Sequence, residues 1–275
     1  MNNILSEKEY QRYIIDQLVK PECGYAEAPA TEFDRLFAMN RKALFTFLDD
    51  TQPEKMEALR KIYKEKAEDT IIAFINQQET RANGSRLDVL KHGVELANIH
   101  LDLMYTKPAT TFNKELNALY HKNIFTVSEE VWASNDERID LVIFLNGLAI
   151  ITFELKCNAA GQSYQDAIYQ YRMERSPKDR LFLWKAGALV NFAMDLEQVY
   201  MCTRLSGSST FFLPFNMGCG EGIQVGAGNP ILKDNYSVHY MWDDILQKDS
   251  LLEILGKFMF IEVSEKEDAS GKAKK

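Results

Sequence analysis

The sequence has few cysteines, and none of them is placed for metal binding or for a disulfide framework. Cys23, Cys157, Cys202 and Cys219 are scattered along the chain, and no Cys-x-x-Cys pair is present. Zinc sites and disulfide-rich secreted domains need closely spaced cysteines. No apolar run reaches the roughly 18 residues of a membrane span, and no charged-then-apolar segment stands at the N-terminus. We therefore expect a cytoplasmic, reducing compartment and no membrane partner.

Several common catalytic motifs are also missing. There is no Gly-x-Ser-x-Gly element, so a serine nucleophile has no support. Segment 206–230 is rich in glycine and serine and is predicted to be a loop. Because no Gly-Lys-Ser/Thr follows it, the sequence argues against an ATP-binding P-loop. The histidines do not cluster with cysteines or acidic pairs at ligand spacing, so we interpret each as a surface or core residue.

What remains is the composition of an ordinary soluble globular protein, with 46% hydrophobic and 26% charged residues. Periodicity predicts an α/β fold in one domain over 1–262, with a helical layer over 1–80, a core over 86–262 and a polar tail or linker over 263–275. The patterns predict helices at 33–48, from Thr51 onward, at 112–121, 162–175 and 245–260, and strands within 86–105, at 123–132, 188–193 and 198–204.

Net charge is −8, the wrong sign for a protein that grips nucleic acid over its whole surface. The segment from Glu154 to Lys185 differs, because its basic residues exceed its acidic ones by two. Two interpretations stay open: an ordinary solvated helix and loop, or a patch that faces phosphates. The second predicts DNA contacts from Arg172, Arg175, Lys178 and Arg180.

The central stretch of the chain is Asp136–Arg175, in which two apolar runs meet at Asn146-Gly147. Asn-Gly between such runs predicts a β-hairpin. A two-residue loop would place Asp140 and Glu154 on opposite faces of the sheet. A three-residue loop would pair Leu145 with Ala149 and place Asp140 directly opposite Glu154, with their Cβ atoms about 5 Å apart. Paired chemistry requires the second register, and the sequence permits it.

Two carboxylates that close repel each other, by on the order of 4 kcal/mol at an effective dielectric of about 20. A retained proton, an intervening basic side chain or a bound cation relieves this repulsion. Lys156 would project from the same face, and carboxylate oxygens with room for water suit Mg²⁺. The alternative is an edge hairpin with two solvated acids and an exposed lysine.

At these residues the sequence resembles the PD-(D/E)xK nucleases, and more narrowly the N-terminal nuclease domain of the restriction (R) subunit of type I restriction enzymes. The resemblance covers nearly the whole chain and is more specific than an Asp…Glu-x-Lys pattern alone. The residues that carry it are Asp140, Asn146-Gly147, Glu154-Leu155-Lys156, Gly161-Gln162, Asp166 to Arg172, Thr51-Gln52-Pro53, Lys107-Pro108-Ala109, Val199-Tyr200-Met201, Phe212 to Asn216 and Gly226 to Pro230.

Two positions depart from the family's pattern. Many R subunits carry Gln-x-x-x-Tyr on the helix after Glu-x-Lys, but Glu174 stands four residues after Gln170. Gln165 and Tyr169 fit the spacing one turn earlier, so either glutamine could fill the role, and Gln170 is our choice. The family often has Glu in the first helix near the site, and we match that position to Gln11.

The resemblance implies a PD-(D/E)xK restriction-endonuclease-like core, a mixed sheet flanked by helices, that cleaves double-stranded DNA with Mg²⁺ or, as a substitute, Mn²⁺. Asp140, Glu154 and the carbonyl of Leu155 would hold the metal, and Lys156 and Gln170 would act beside it. It also implies partners: methylation and specificity subunits, and helicase-like motor domains that use ATP. No motor motif is visible, so we expect an N-terminal fragment of a longer chain. The alternative is a non-catalytic docking module for DNA or partner subunits, against which the intact Asp140, Glu154 and Lys156 argue.

Overall fold

The computed structural model describes residues 4–110, 112–134, 136–219 and 226–262, together with the backbone of 266–267 and 273–274. The helices are α1 (Glu7–Leu18), α2 (Arg41–Thr51), α3 (Pro53–Tyr63), α4 (Ala67–Thr80), α5 (Arg86–His92), α6 (Lys114–His121), α7 (Tyr164–Met173) and α8 (Lys248–Glu253). The strands are β1 (Ala26–Glu27), β2 (Phe33–Asp34), β3 (Met39–Asn40), β4 (Val94–Leu96), β5 (Ile99–Leu101), β6 (Phe125–Trp132), β7 (Arg138–Leu145), β8 (Leu148–Leu155), β9 (Val190–Met194), β10 (Val199–Cys202), β11 (Leu213–Pro214), β12 (Lys266–Glu267) and β13 (Ala273–Lys274).

One large mixed sheet organises the described part of the chain. Its main path runs β1-β6-β7-β8-β9-β10-β11, and β3 pairs with β8 and carries β2. The β1–β6 and β8–β9 pairs are parallel, and the other pairs in this sheet are antiparallel. The predicted α/β class, a mixed sheet flanked by helices, is confirmed, and it is compatible with a restriction-endonuclease-like core.

The central hairpin β7–β8 is buried on both faces. Every residue of β8 and all but Arg138 of β7 are buried. Strands that are covered on both faces have continuous apolar sequences rather than alternating ones, and the sequences of β7 and β8 are of the continuous kind. One core cluster includes residues of α1 to α5 and α8, and a second lies under α7. Few polar side chains enter this interior, so those that do stand out.

The sequence predicted a helical layer over the first 80 residues, but this region is not purely helical. They also contribute β1, which pairs with β6, and β3, in which Met39 pairs with Leu148. The helix predicted at 33–48 begins only at Arg41, because Asn40 caps it by accepting from the Ala43 amide at 3.0 Å. The predicted long helix after Thr51 is divided into α3 and α4 at Lys64, whose φ is +53°.

Two other regions also differ from prediction. The segment predicted as a strand within 86–105 begins with α5, which Ser85 caps and Gly93 ends at φ +65°, and then forms the β4–β5 hairpin. The predicted final helix is α8 flanked by π-helical turns at Met241–Ile245 and Ile254–Phe258. In the predicted polar tail, β12 and β13 pair antiparallel. Among the described residues, no helix is long and apolar enough to cross a membrane.

Candidate active site

The β7–β8 hairpin brings Asp140 and Glu154 together, but not by the predicted turn. The loop has two residues, with Asn146 at φ +49° and Gly147 at φ +83°, so Leu145 pairs with Leu148 rather than with Ala149. The register then shifts by one residue at a β-bulge after Phe144, and Leu141 pairs with Phe153. The next pair in this register is Asp140 and Glu154. The three-residue loop is therefore wrong, and a bulge inside the ladder supplies the same one-residue offset.

Asp140 is buried, and its carboxylate is fixed by the strand that it faces. Its Oδ2 accepts a hydrogen bond from the Leu155 amide at 2.6 Å. Burial raises the pKa of Asp140 to about 7, and the charge of Glu7 adds to that rise. The Leu155 amide and Lys156 oppose the shift without cancelling it. The positive charge near Asp140 therefore does not offset the effect of its burial.

Glu154 is completely buried and only half satisfied. Its Oε1 accepts from Arg175 Nε at 2.7 Å, whereas its Oε2 is buried with no hydrogen-bond partner among the described residues. Burial raises the pKa of Glu154 to about 8, the charge of Asp140 raises it further, and Arg175 opposes both. A buried carboxylate oxygen without a partner is costly, so it marks a position where a cation or a proton would be accepted.

Lys156 lies beside this pair and is held by a residue that the sequence reasoning missed. Its Nζ donates to Glu7 Oε2 at 2.8 Å, and its side chain is 5% exposed. Glu7 stands in the first turn of α1, whose start is fixed by a capping box between Ser6 and Glu9. Gln11, which we matched to the family's first-helix acid, lies one turn further along. A shift of one turn in that match would have found Glu7.

Two of the four residues of the predicted basic patch, Arg175 and Arg180, are not available on the surface. Arg175 is buried on Glu154, and its Nη2 also donates to the Arg138 carbonyl at 3.0 Å. Arg180 is paired with Glu79, and its side chain is 12% exposed. Burial lowers the pKa of Arg180 to about 10. Both guanidinium groups are engaged in internal ion pairs, so the expectation that they face solvent is corrected.

The other two basic residues remain accessible. Arg172 on α7 is half-buried, donates from Nε to the Thr210 carbonyl at 3.0 Å, and lies over the Phe212 ring. Lys178 is exposed in the loop after α7. These two side chains are what is left of the patch on the surface.

Of the two candidate glutamines, Gln170 lies at the end of α7 that contacts Arg175, the cation paired with Glu154. It is on the last turns of α7, and its carbonyl oxygen accepts from the Arg175 amide at 3.1 Å. Its side-chain Oε1 is buried without a hydrogen-bond partner among the described residues. Gln165 is exposed near the start of the helix. The adjacent Tyr171 anchors α7 to β8, with its hydroxyl 2.8 Å from Thr152 Oγ1.

The donor set at this site is small and made of oxygen. Across the part of the chain that the structure describes, no group of three or more His, Cys, Asp or Glu side chains could hold a metal ion. Two carboxylates and a backbone carbonyl would leave several positions to water, which is how proteins usually bind Mg²⁺. The unpartnered Glu154 Oε2 and the raised pKa values of both acids fit such an ion.

A mixed sheet flanked by helices, with a buried carboxylate pair and a lysine at the end of its central hairpin, is compatible with the restriction-endonuclease class. Comparison with family models is more specific. Residues 4–210 match the family described as the type I restriction enzyme R protein N terminus, and the chain belongs to this family. A comparison with curated proteins finds no match.

Proposed function

We propose that this chain is the endonuclease domain of a type I restriction R subunit and cleaves double-stranded DNA in a Mg²⁺-dependent reaction. Membership of the family supports a role in a restriction system. The observation that carries the finer proposal is the Asp140–Glu154 pair, which faces across the hairpin in the observed register, with one Glu154 oxygen unpartnered within the described part of the chain.

The roles follow from the contacts. Asp140, Glu154 and the Leu155 carbonyl would hold the metal, which when bound supplies an activated water and offsets charge on the scissile phosphate. Arg175 fixes one oxygen of Glu154 and thereby leaves the other available. Lys156 would orient the attacking water or neutralise the phosphate, and Glu7 keeps its ammonium group in place beside Asp140. Gln170, with its unpartnered oxygen, would position Lys156 or the DNA backbone.

The burial of the site also supports the alternative, a docking module without catalysis. Glu154 and Lys156 are both neutralised by protein partners, and Asp140 is 8% exposed. Under the nuclease proposal, loading with metal and duplex must open this end of the sheet. Arg172 and Lys178 are the surface cations that we assign to the DNA backbone. ATP would act only in motor domains of the full-length chain, and the methylation and specificity subunits would read the target.

The decisive experiment uses the assembled restriction complex. Asp140→Asn, Glu154→Gln and Lys156→Met keep side-chain size and are each expected to abolish DNA cleavage while ATPase activity and DNA binding continue. Asp136→Asn, an exposed acid in the loop before β7, is the matched control and should cut normally. Full cleavage by any of the three site variants would refute the proposed nuclease site and favour the docking module.

A further inference from the structure

The register that creates the carboxylate pair depends on one residue, Ile150. Phe144 pairs with Ala149 and Ile143 pairs with Ile151, so Ile150 is the extra residue of the bulge. Without it, the two-residue turn would place Asp140 opposite Phe153. A slip of one residue moves a strand's side chains to the other face of the sheet. A contact that fixes the position of the bulge therefore also fixes the pairing of Asp140 with Glu154.

Two carbonyl groups at the bulge are bonded from outside the hairpin. The Ile150 carbonyl accepts from the Leu189 amide at 2.8 Å, at the start of β9. The Ala149 carbonyl accepts from Arg86 Nη1 at 3.0 Å. The same nitrogen donates to the Ala38 carbonyl at 2.9 Å, next to β3. The Arg86 guanidinium thus ties the bulge to the strand that flanks it.

Every N–H donor of the Arg86 guanidinium makes a hydrogen bond. Nη2 donates to the Phe37 carbonyl at 3.0 Å and to Glu79 Oε2 at 3.1 Å, and Nε donates to Glu79 Oε1 at 2.8 Å. With the two bonds from Nη1, all five donors of the guanidinium are used. A lysine, with three donors on a single nitrogen, cannot reproduce this fork.

The cost of this arrangement suggests a role beyond stability. The side chains of Arg86 and Glu79 are both 0% exposed. A buried ion pair is often no more stabilising than well-packed apolar side chains of the same volume, and its best-attested use is to select one register over another. Here it contacts the backbone at the one place where the register changes.

We propose that Arg86, held by Glu79, is a positioning residue that fixes the bulge at Ile150 and so places Asp140 opposite Glu154. It acts through the backbone, since Ala149 and Glu154 are five residues apart on β8, roughly 16 Å. The assignment goes beyond the proposed function and rests on it only in taking these two carboxylates as the functional site.

The test reads the register itself in the full 275-residue chain by NMR, without metal or DNA. In the wild-type protein, cross-strand contacts should join Leu141 to Phe153, and the Leu155 amide, which donates to Asp140, should exchange slowly. The double variant Glu79→Gln/Arg86→Met removes both charges of the buried pair, while the amide oxygen that replaces the Glu79 carboxylate can still accept from Arg180 Nη2. We expect this variant to melt cooperatively and to lose the Leu141–Phe153 contacts. The protection factor of the Leu155 amide against hydrogen exchange should fall at least tenfold.

A second variant keeps the test decisive if the double variant does not fold. Arg86→Lys leaves Glu79 a cationic partner but cannot bond Phe37, Ala38 and Ala149 at once, so the same loss of contacts is expected with a smaller fall in melting temperature. Wild-type contacts and protection in a folded variant would show that Arg86 is only a core contact and overturn the proposal. This readout is separate from cleavage, so a failure of the nuclease assignment leaves it intact and is distinguishable from it.

Discussion

Arg175 and Glu154 form a buried ion pair in which Nε lies 2.7 Å from Oε1, while the other carboxylate oxygen of Glu154 has no partner among the described residues. The pair joins the end of α7 to the end of β8. It neutralises part of the acidic site from the inner side and leaves one oxygen for a ligand.

Removing the cation should destabilise the protein strongly. In Arg175→Gln the buried Glu154 carboxylate loses the cation with which it pairs, which typically costs about 3–5 kcal/mol of unfolding free energy. Arg172→Gln, at a half-exposed arginine three residues earlier, should cost about 1 kcal/mol. Urea unfolding of both variants measures the difference. The double variant Arg175→Gln/Glu154→Gln should recover most of the loss, and equal losses in the two single variants would contradict the dependence of buried Glu154 on Arg175.

Divalent metal should stabilise the folded chain. A ligand that binds only the native state at 100 times its Kd adds about 2.7 kcal/mol, so Mg²⁺ or Mn²⁺ should raise the melting temperature. The rise should disappear in Asp140→Asn/Glu154→Gln, in which the charged donors are gone but the volumes are kept. A rise of the same size in that variant would mean that the ion binds elsewhere.

Without metal, stability should fall as pH rises. Folding raises the pKa of Asp140 from 3.8 to about 7 and that of Glu154 from 4.5 to about 8. The folded state therefore binds protons more tightly, and stability present below about pH 4 is lost as pH rises through this window. Urea unfolding in EDTA between about pH 5 and about pH 8.5 would measure it, because this range lies above the ordinary pKa values of both acids and includes their folded values. The slope should flatten in Asp140→Asn/Glu154→Gln, and an unchanged slope there would assign it to other groups.

Glu7→Gln should lower the pKa of Asp140. The charge of Glu7 is the largest cause of the raised value after burial, and its removal also frees Lys156 to interact with Asp140. Carboxyl-carbon NMR titration would follow the Asp140 midpoint directly. Asp16→Asn, on the same helix and paired with Arg12, is the control and should leave it in place. An unmoved midpoint in Glu7→Gln would remove Glu7 from the site.

The isolated chain should bind DNA weakly and without sequence preference. Net charge is −8, and only Arg172 and Lys178 of the predicted patch remain accessible. Two phosphate contacts give a salt slope of roughly −1.8 on a log-log plot, at about −0.9 per contact. Arg172→Glu/Lys178→Glu should remove the binding, whereas Lys42→Glu/Lys61→Glu changes the charge equally on the exposed surface of α2 and α3 and should not. Tight, sequence-selective binding in a low-salt titration would contradict this prediction.

The sequence predicted the parts of the site that depend on short-range pattern. Asn146-Gly147 indicates a hairpin by itself, and the apolar runs on either side indicate central strands. The bulge at Ile150 left no such signal, because an isoleucine in an apolar run looks the same in the ladder or outside it. Its carbonyl groups are hydrogen-bonded by Arg86 and Leu189, which are distant in sequence.

Charge partners were predicted least well for the same reason. Arg175 and Arg180 belong to a basic segment, and sequence gives no means of seeing that Glu154 and Glu79 lie under them. Glu7 meets Lys156 across 149 positions of the chain. Helical and strand periodicity reports which face of an element is apolar, but it does not say which ions meet inside the fold.

Unfolding should expose Asn146, in the hairpin turn, to chemical deamidation. Asn-Gly is the sequence at which asparagine most readily cyclises and deamidates, and asparagine is among the heat-sensitive residues. In the folded protein Asn146 is completely buried, its Oδ1 accepts from the Ile124 amide at 2.7 Å, and its Nδ2 donates to the Leu103 carbonyl at 2.8 Å. These bonds hold the side chain away from the Gly147 nitrogen. Molecules that spend time unfolded would acquire a buried acid at position 146 and lose the turn, so heat inactivation should become irreversible as an acid accumulates there. The exposed Asn83 also precedes a glycine and would be modified in the folded protein as well, so only position 146 reports unfolding.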